Sequence, residues 1–174
     1  MTATRRLQQG LRALLAFITE VDYELASRYL NDEQMTLFKR MQRNEQLHSL
    51  NVLRALHKRE TPLSDDLAIA ALLHDVGKSC YPLRIWQKTL AVLVRAFLPA
   101  YYTRWQHGDP QHWLYRPFVV AEKHPTWSAE LVSQTGASQR ALWLIAHHAD
   151  AINQWQDHPD AATLTTLKWA DDRN

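Results

Sequence analysis

The sequence predicts an all-helical fold, and three features of its composition indicate this. Leu, Ala, Arg and Gln are abundant among the 174 residues, whereas Val and Ile are modest in number. No long run alternates between apolar and polar residues, as a half-buried strand would. Only four residues are Gly and 46% are hydrophobic, so loops should be few and the core substantial. We therefore predict a single all-α domain over residues 1–174.

Two helices are predicted before the first break. Apolar residues at helical spacing predict an N-terminal helix within residues 1–30, in preference to a targeting peptide. Asn31, with Gln34 three residues later, resembles a capping box that opens a second helix continuing to Leu56. Pro62 should then break the helical run.

Serine, glycine and proline mark the later helices. Ser64 should cap a third helix, and Gly77 should end it. Residues 81–117 are predicted to form a helical and loop insertion. The remaining predictions are a helix from Leu83 to Tyr102, a loop region that includes Arg116-Pro117, a helix from Pro125 to Gly136, a helix capped by Ser138, and a last helix from Ala161 to Asp172.

Charge and cysteine content exclude several classes of protein. The net charge of +2 is small and the basic residues are scattered, so we predict no nucleic-acid partner. Cys80 is the only cysteine, which rules out an intrachain disulfide and fits a reducing compartment. No apolar stretch is long enough for a transmembrane segment, and we predict a cytoplasmic protein.

The most informative motif is the adjacent pair His74-Asp75. An imidazole and a carboxylate side by side can bind neighbouring metal ions, and the carboxylate can bridge two of them. A lone histidine on an apolar helix face is usually a hydrogen-bonded core residue, so the surrounding set decides. Histidines at this density in one small core need a common partner, which favours two divalent ions that share Asp75. The accompanying residues are His48, His124, His147, His148 and Asp171.

In their order along the chain, these residues resemble the HD-domain superfamily of metal-dependent phosphohydrolases. The resemblance runs from about Asn44 to Asp171 and implies an HD-like helical bundle with an insertion between the His-Asp pair and the third histidine. The matching segments are Glu45 to Val52, His74-Asp75-Val76-Gly77-Lys78, His124-Pro125 with Ala129-Glu130-Leu131, Ile145-Ala146-His147-His148, and Ala170-Asp171.

The resemblance also implies a division of the ligands between two ions, of Mn, Fe, Mg or a similar metal. One ion would be bound by His48, His74, Asp75 and Asp171. Asp75 would bridge to a second ion, which is bound by His124 together with His147, His148 or both. The last choice stays open because adjacent helical residues point about 100° apart.

Lys78 and Asp75 are the predicted catalytic residues. Lys78 follows the bridging carboxylate by three residues, close enough for its ammonium to meet a phosphate oxygen. The alternative is a solvated lysine at a helix end. Gly77 is expected to allow a tight backbone turn beside them.

Two departures from better-known relatives limit the prediction. The chain has no Gly-Tyr-Pro loop after His147-His148, so it resembles the HD-GYP subgroup only in part. Where trinuclear members have a Glu one helical turn before the first histidine, this chain has Asn44, which favours two ions over three.

The insertion is rich in aromatic and basic residues and allows three interpretations. The aromatics could stack a base while arginines bind phosphates, or the segment could face a membrane surface or a protein partner. We favour a third interpretation, a helical lid whose aromatics pack on the core. The histidines predicted not to be ligands are His57, His107, His112 and His158.

These observations predict an enzyme that cleaves a phosphate mono- or diester of a small, nucleotide-like substrate. Two ions would lower the pKa of water and provide hydroxide near neutral pH. Two alternatives remain: a di-iron oxygenase of the same fold, and an inactive module that binds a nucleotide or a partner. The oligomeric state is not predicted.

Overall fold

The computed structural model describes residues 20–174, and every regular element in that range is helical. The all-α prediction is therefore confirmed. Most of the predicted N-terminal helix lies outside the described residues. Two short 3₁₀ helices, Val76–Cys80 and Ile152–Gln154, accompany the α-helices. The α-helices are α1 (Tyr23–Ser27), α2 (Asp32–Arg40), α3 (Arg43–His57), α4 (Asp65–Leu73), α5 (Ile85–Phe97), α6 (Pro99–Trp105), α7 (Arg116–Ser133), α8 (Gln139–His147) and α9 (Ala161–Asp171).

The central helix of the bundle is α4, and its sequence explains this position. From Leu67 to Leu73 its residues are all apolar, and nearly all are fully buried. A helix that is apolar all round needs neighbours on every side. It packs against α2, α3, α8 and α9. Since the chain leaves α4 inside this packing, the next two residues, His74 and Asp75, are buried as well.

The predicted second helix is interrupted, because the backbone is extended at Met41 and Gln42. The buried amide of Gln46 donates hydrogen bonds to three carbonyl oxygens at the end of α2, including that of Phe38 at 3.0 Å. Carbonyl groups at a helix end lack the amide partners of the helix interior, and of these three the Phe38 oxygen also accepts a hydrogen bond of 3.2 Å from the Met41 amide. The prediction of one continuous helix is wrong because a glutamine side chain of the next helix stabilises a break that no Gly or Pro marks.

Two prolines predicted to lie outside a helix belong to α7. This helix begins at Arg116, so Pro117 lies in its first turn and Pro125 in its interior. Pro125 cannot donate a hydrogen bond to the carbonyl of Ala121, four residues earlier. The Nδ1 atom of His124 lies 3.1 Å from that oxygen and replaces the missing donor. The predicted helix start at Pro125 is wrong because a histidine compensates for the proline.

The predicted end of α4 at Gly77 is also wrong, since α4 ends at Leu73 and Gly77 lies in the following 3₁₀ helix. A Cβ atom at Gly77 would overlap the carbonyl oxygen of His124 and lie 2.8 Å from the amide nitrogen of Ser128. The Gly77 amide donates a hydrogen bond of 2.8 Å to Ser128 Oγ. Glycine is required here by the close approach of two backbones, and not by helix termination.

Other helix ends agree with the sequence. Asn31 and Gln34 form the predicted capping box. Ser64 and Ser138 accept hydrogen bonds from backbone amides in the first turns of α4 and α8. The last helix, Ala161–Asp171, ends one residue from the prediction. Local capping chemistry therefore determines these boundaries.

The insertion, residues 81–117, consists of α5, α6 and a loop, and it packs on α7. The helix predicted from Leu83 to Tyr102 is divided at Leu98, whose backbone is not helical and which precedes Pro99. A residue before proline is disfavoured in the helical conformation. Within residues 20–174, every helix is too short or too polar to cross a bilayer.

The aromatic residues of the insertion divide into two groups. Tyr102 and Trp105 pack on Phe118, with ring centroids 5.7 and 5.1 Å apart, and form a small second core with Ala91 and Val94. Tyr81 and Tyr115 also pack on other rings, those of Trp127 and Trp105. The interpretation as a lid with packed aromatics holds for these four residues. The remaining aromatics are about half exposed or more and are Trp86, Phe97, Tyr101 and Trp113.

Candidate metal centre

Side chains from separate helices meet in the interior of the bundle. Four of them are buried, whereas the two others are about one quarter exposed, so one side of the cluster faces solvent. The buried residues are His74 and Asp75 after α4, His124 on α7 and His148 after α8; the exposed ones are His48 on α3 and Asp171 at the end of α9.

Three side chains and one oxygen of Asp75 form the first half of the cluster. His48 Nε2 lies 2.8 Å from Asp171 Oδ1, and His74 Nε2 lies 3.7 Å from the same oxygen. His74 Nε2 is also 3.6 Å from Asp75 Oδ2. Ligand atoms about 2.0–2.2 Å from one divalent ion are separated by roughly these distances. The donor atoms are therefore spaced as ligands of one ion.

His124 and His148 form the second half with the other oxygen of Asp75. Asp75 Oδ1 lies 3.3 Å from His124 Nε2 and 3.8 Å from His148 Nε2. The two Nε2 atoms are 3.2 Å apart. The carboxylate of Asp75 thus directs one oxygen to each half, as a bridging ligand between two ions would.

The hydrogen bonds of three histidines fix their tautomers. Nδ1 of His74, His124 and His148 each lies 2.7–3.0 Å from a backbone carbonyl oxygen one turn earlier. Because only a protonated Nδ1 can donate there, Nε2 is the atom that each ring directs to the centre, and in the neutral ring it carries the lone pair.

Two features of these lone pairs fit a bound cation. His74 Nε2 is buried and has no hydrogen-bond partner. His124 Nε2 and His148 Nε2 face each other although both rings already carry their proton on Nδ1. Buried nitrogen atoms without a donor are unfavourable, and a shared cation would satisfy them. The chemistry of these donors suits divalent metals.

The electrostatics of the centre lead to the same conclusion. Burial opposes ionisation of Asp75, but Lys78 and His74 outweigh it and hold the pKa of Asp75 well below its usual range. Burial would lower the pKa of His74, but Asp75 and Asp171 raise it to about 9. Burial, with the charge of His74, lowers the pKa of His148. Without metal, His74 holds a proton that a metal ion must displace.

His147 points away from the centre, although its neighbour His148 points into it. Its Nδ1 lies 2.7 Å from Asp150 Oδ2, an oxygen that also accepts a hydrogen bond from Trp155 Nε1 at 3.0 Å. With Trp143, it lines a surface cavity of about 640 Å³. The structure brings one of the two candidate histidines to the centre and places the other on the surface.

Lys78 lies at the solvent side of the centre. Its Nζ is 2.6 Å from Asp75 Oδ2, and its side chain is 30% exposed. Burial lowers its pKa, but Asp75, together with the more distant charges of Glu45 and Asp171, outweighs burial and raises the pKa of Lys78. The ammonium group is therefore charged and can meet an anion at the centre.

Glu45 is a buried carboxylate beside the centre that the motifs did not single out. Its Oε1 accepts a hydrogen bond of 2.9 Å from Lys88 Nζ of the insertion, whereas its Oε2 is buried without a partner. Glu45 precedes His48 by three residues, so both lie on one face of α3. That spacing is the signal that would have identified it. The Glu45–Lys88 pair connects the insertion to the centre.

The four histidines predicted not to be ligands lie outside the cluster. Each contacts a side chain that is not part of it. His57 contacts Tyr29, His107 contacts Gln106, His112 contacts Tyr115, and His158 stacks on Trp143.

Comparison with known proteins agrees with this geometry. A family model described as HD domain matches residues 46–173. The matched range contains the complete His and Asp cluster together with Lys78, and it also includes the insertion. Neither a curated protein nor a solved structure matches the chain.

Proposed function

The chain belongs to the HD-domain family, whose members are commonly metal-dependent phosphohydrolases, and we propose that it hydrolyses a phosphate ester at the cluster described above. The observation that carries the proposal is the position of Asp75. Its two carboxylate oxygens face two separate sets of Nε2 atoms. This arrangement suits a carboxylate that would help to hold two divalent ions, as two-metal hydrolysis requires.

The proposed ligands follow from the two halves of the cluster. His48, His74, Asp171 and Asp75 Oδ2 would hold the first ion. Asp75 Oδ1, His124 and His148 would hold the second. His147 has no place in this set, because its ring is bound to Asp150 on the surface.

Divalent ions at these positions would activate water near neutral pH and polarise a phosphoryl oxygen. The chain's own residues contribute orientation and charge. Hydrogen bonds from Nδ1 to the backbone hold His74, His124 and His148 in fixed orientations. Lys78, charged and partly exposed, would stabilise negative charge on the non-bridging oxygens of the phosphoryl group.

The substrate class follows from the open side of the centre. Lys78 and Lys88 are about one third exposed there, so the entrance favours an anion. We propose a small phosphorylated substrate, a mono- or diester of nucleotide type. The identity of the substrate depends on the chemical groups that it carries besides the phosphate.

Adjacent histidines provide a matched pair for testing the proposal. We expect His148→Ala to lose bound metal and at least about 100-fold in turnover of a generic phosphodiester with Mn²⁺. His147→Ala, one residue away and directed to Asp150 instead of the centre, should retain both. Elemental analysis and initial rates on the purified full chain measure these effects.

Three outcomes would contradict the proposal. Equal metal content in the two variants would show that His148 is not a metal ligand. Iron-dependent consumption of O₂ without phosphate release would instead indicate an oxygenase. Tight nucleotide binding without turnover in the metal-loaded protein would indicate an inactive binding module.

A further inference from the structure

The outward face of α5 is apolar, which is unusual for a helix on the surface of a bundle. Ile85 and Val92 form one row along this face, and Trp86, Leu93 and Phe97 form a second row beside it. These side chains are between 44% and 77% exposed. The helix therefore presents two rows of large apolar groups to solvent.

The contact between α5 and the bundle uses a different face. Ala91 and Val94 are buried against Phe118 of α7. Lys88 is held by Glu45 of α3. The outward rows therefore take no part in the packing of α5 on the bundle.

Neighbouring elements extend the same apolar surface. Leu98 and Tyr101 are 48% and 51% exposed, and Trp113 is 58% exposed with its ring 6.3 Å from that of Trp86. Contiguous apolar patches of this kind mark interaction sites in natural proteins. We refer to the exposed apolar side chains between Ile85 and Trp113 as the apolar face.

The segment that carries the apolar face is basic in sequence, although one of its cations, Lys88, is paired with Glu45 of α3. Residues 82–116 contain five basic residues against one acidic residue, Asp109, although the whole chain has a net charge of only +2. Three of the basic residues lie at positions i, i+4 and i+11 along one edge of α5. The basic residues are Arg84, Lys88, Arg95, Arg104 and Arg116.

We propose that the apolar face binds the surface of an anionic lipid bilayer. In this arrangement α5 lies in the plane of the interface, its apolar rows reach the acyl boundary, and the flanking cations contact lipid phosphates. Trp86, Tyr101 and Trp113 are of the residue types that favour the headgroup region. The proposal concerns a different surface from the metal centre and does not depend on the proposed function.

Charge favours a lipid over a second copy of the chain as the occupant. In a two-fold dimer through this face, the same patch meets itself, so the arginines beside the apolar face of one copy would approach those of the other. A bilayer with anionic headgroups neutralises them instead.

Vesicle co-sedimentation of the full, metal-loaded chain tests the proposal. We expect binding to vesicles that contain phosphatidylglycerol and little binding to vesicles of phosphatidylcholine alone. Binding should weaken as salt rises from about 0.1 M to about 0.5 M, because surface charges are screened.

Variants of exposed residues separate the apolar and electrostatic contributions. The double variant Ile85→Ser/Phe97→Ser should lower partitioning by at least roughly tenfold, whereas Phe97→Leu should retain most of it. Arg84→Glu should lower partitioning by roughly tenfold. The control Lys58→Glu reverses one exposed charge at the far end of α3 and should leave binding unchanged.

Two results would overturn the proposal. One is equal binding to neutral and anionic vesicles, or no binding to either. The other is a dimer in solution that Ile85→Ser/Phe97→Ser disperses, which would assign the apolar face to a second copy. Turnover of a soluble phosphodiester should be unchanged in these variants, so failure here is distinguishable from failure of the proposed function.

Discussion

The interior of the bundle and the insertion depart from the usual distribution of side chains in opposite directions. The interior buries histidines and aspartates, whereas the insertion exposes large apolar groups. Among the residues described, every exposed large apolar side chain except Tyr23 lies between Ile85 and Trp113. Both departures are unfavourable in an isolated domain.

Both the buried polar side chains of the interior and the exposed apolar side chains of the insertion are explained by a bound partner that is not part of the polypeptide. In the interior, Nε2 lone pairs converge without a protein donor, which calls for a cation. On the insertion, apolar rows lie beside cations, which suits an amphipathic partner such as an anionic bilayer. Buried polar clusters and exposed apolar patches are therefore the places in this chain where binding sites can be sought.

The largest expected effect comes from Asp75→Asn, which removes the bridging carboxylate while keeping its shape. We expect loss of bound metal and a fall in turnover of about 10³-fold, since both halves of the centre lose a ligand. Vesicle binding should be unaffected if the two regions act independently. Elemental analysis, initial rates and co-sedimentation provide the three measurements, and unchanged metal content would contradict the bridging role.

Gly77→Ala should disturb the packing around the candidate metal centre without replacing any candidate ligand. The new methyl group would overlap backbone atoms of α7, at a cost of about 3 kcal/mol in the free energy of unfolding. Metal affinity should fall as well, because the overlap displaces His124.

Gly136→Ala is the matched control for that variant. Gly136 has φ of 72° but no neighbour within 4 Å, so alanine there should cost about 1 kcal/mol and leave metal affinity intact. Denaturant unfolding and metal titration measure both variants. Equal losses at the two positions would show that the close contact with α7 is unimportant.

Lys78→Met should separate catalysis from metal binding within the interior. Turnover should fall about 100-fold, because a charge that stabilises the transferred phosphoryl group is lost. Metal content should be retained, since Lys78 is not a ligand and its cation competes for Asp75 Oδ2. A variant with normal turnover would restrict Lys78 to a structural role.

The smallest effect is expected at the ion pair that joins the two regions. Lys88→Met leaves the buried Glu45 carboxylate without its cation and should cost about 1 kcal/mol of stability, because the lysine is partly solvated. A double-mutant cycle with Glu45→Gln, measured by urea unfolding, gives the coupling energy. A coupling near zero would mean that α5 is held by its apolar contacts with α7 alone.

The candidate ligands could be identified from the sequence because their order and spacing are local properties. The His74-Asp75 pair and the four separated positions around it need no coordinates to be recognised. The choice between His147 and His148 did need them, because both sit at the end of α8 and only packing decides which ring faces inward. The spacing of Glu45 before His48 is a local signal for its place beside the centre, but its ion pair with Lys88 joins residues distant in sequence and needed the structure.

By itself, the sequence determined the helical class and the serine and asparagine caps, since propensity and capping act within a few residues. It also indicated candidate metal ligands, of which the structure brings all but His147 together. The tertiary structure decided the break before α3, the helical position of Pro125 and the need for glycine at position 77. The first two depend on side-chain hydrogen bonds to backbone carbonyls, which propensity and spacing do not show, and the third depends on the close approach of a distant helix. The same holds for the apolar face, because α5 is apolar on two sides and only its packing on α7 determines which side stays exposed.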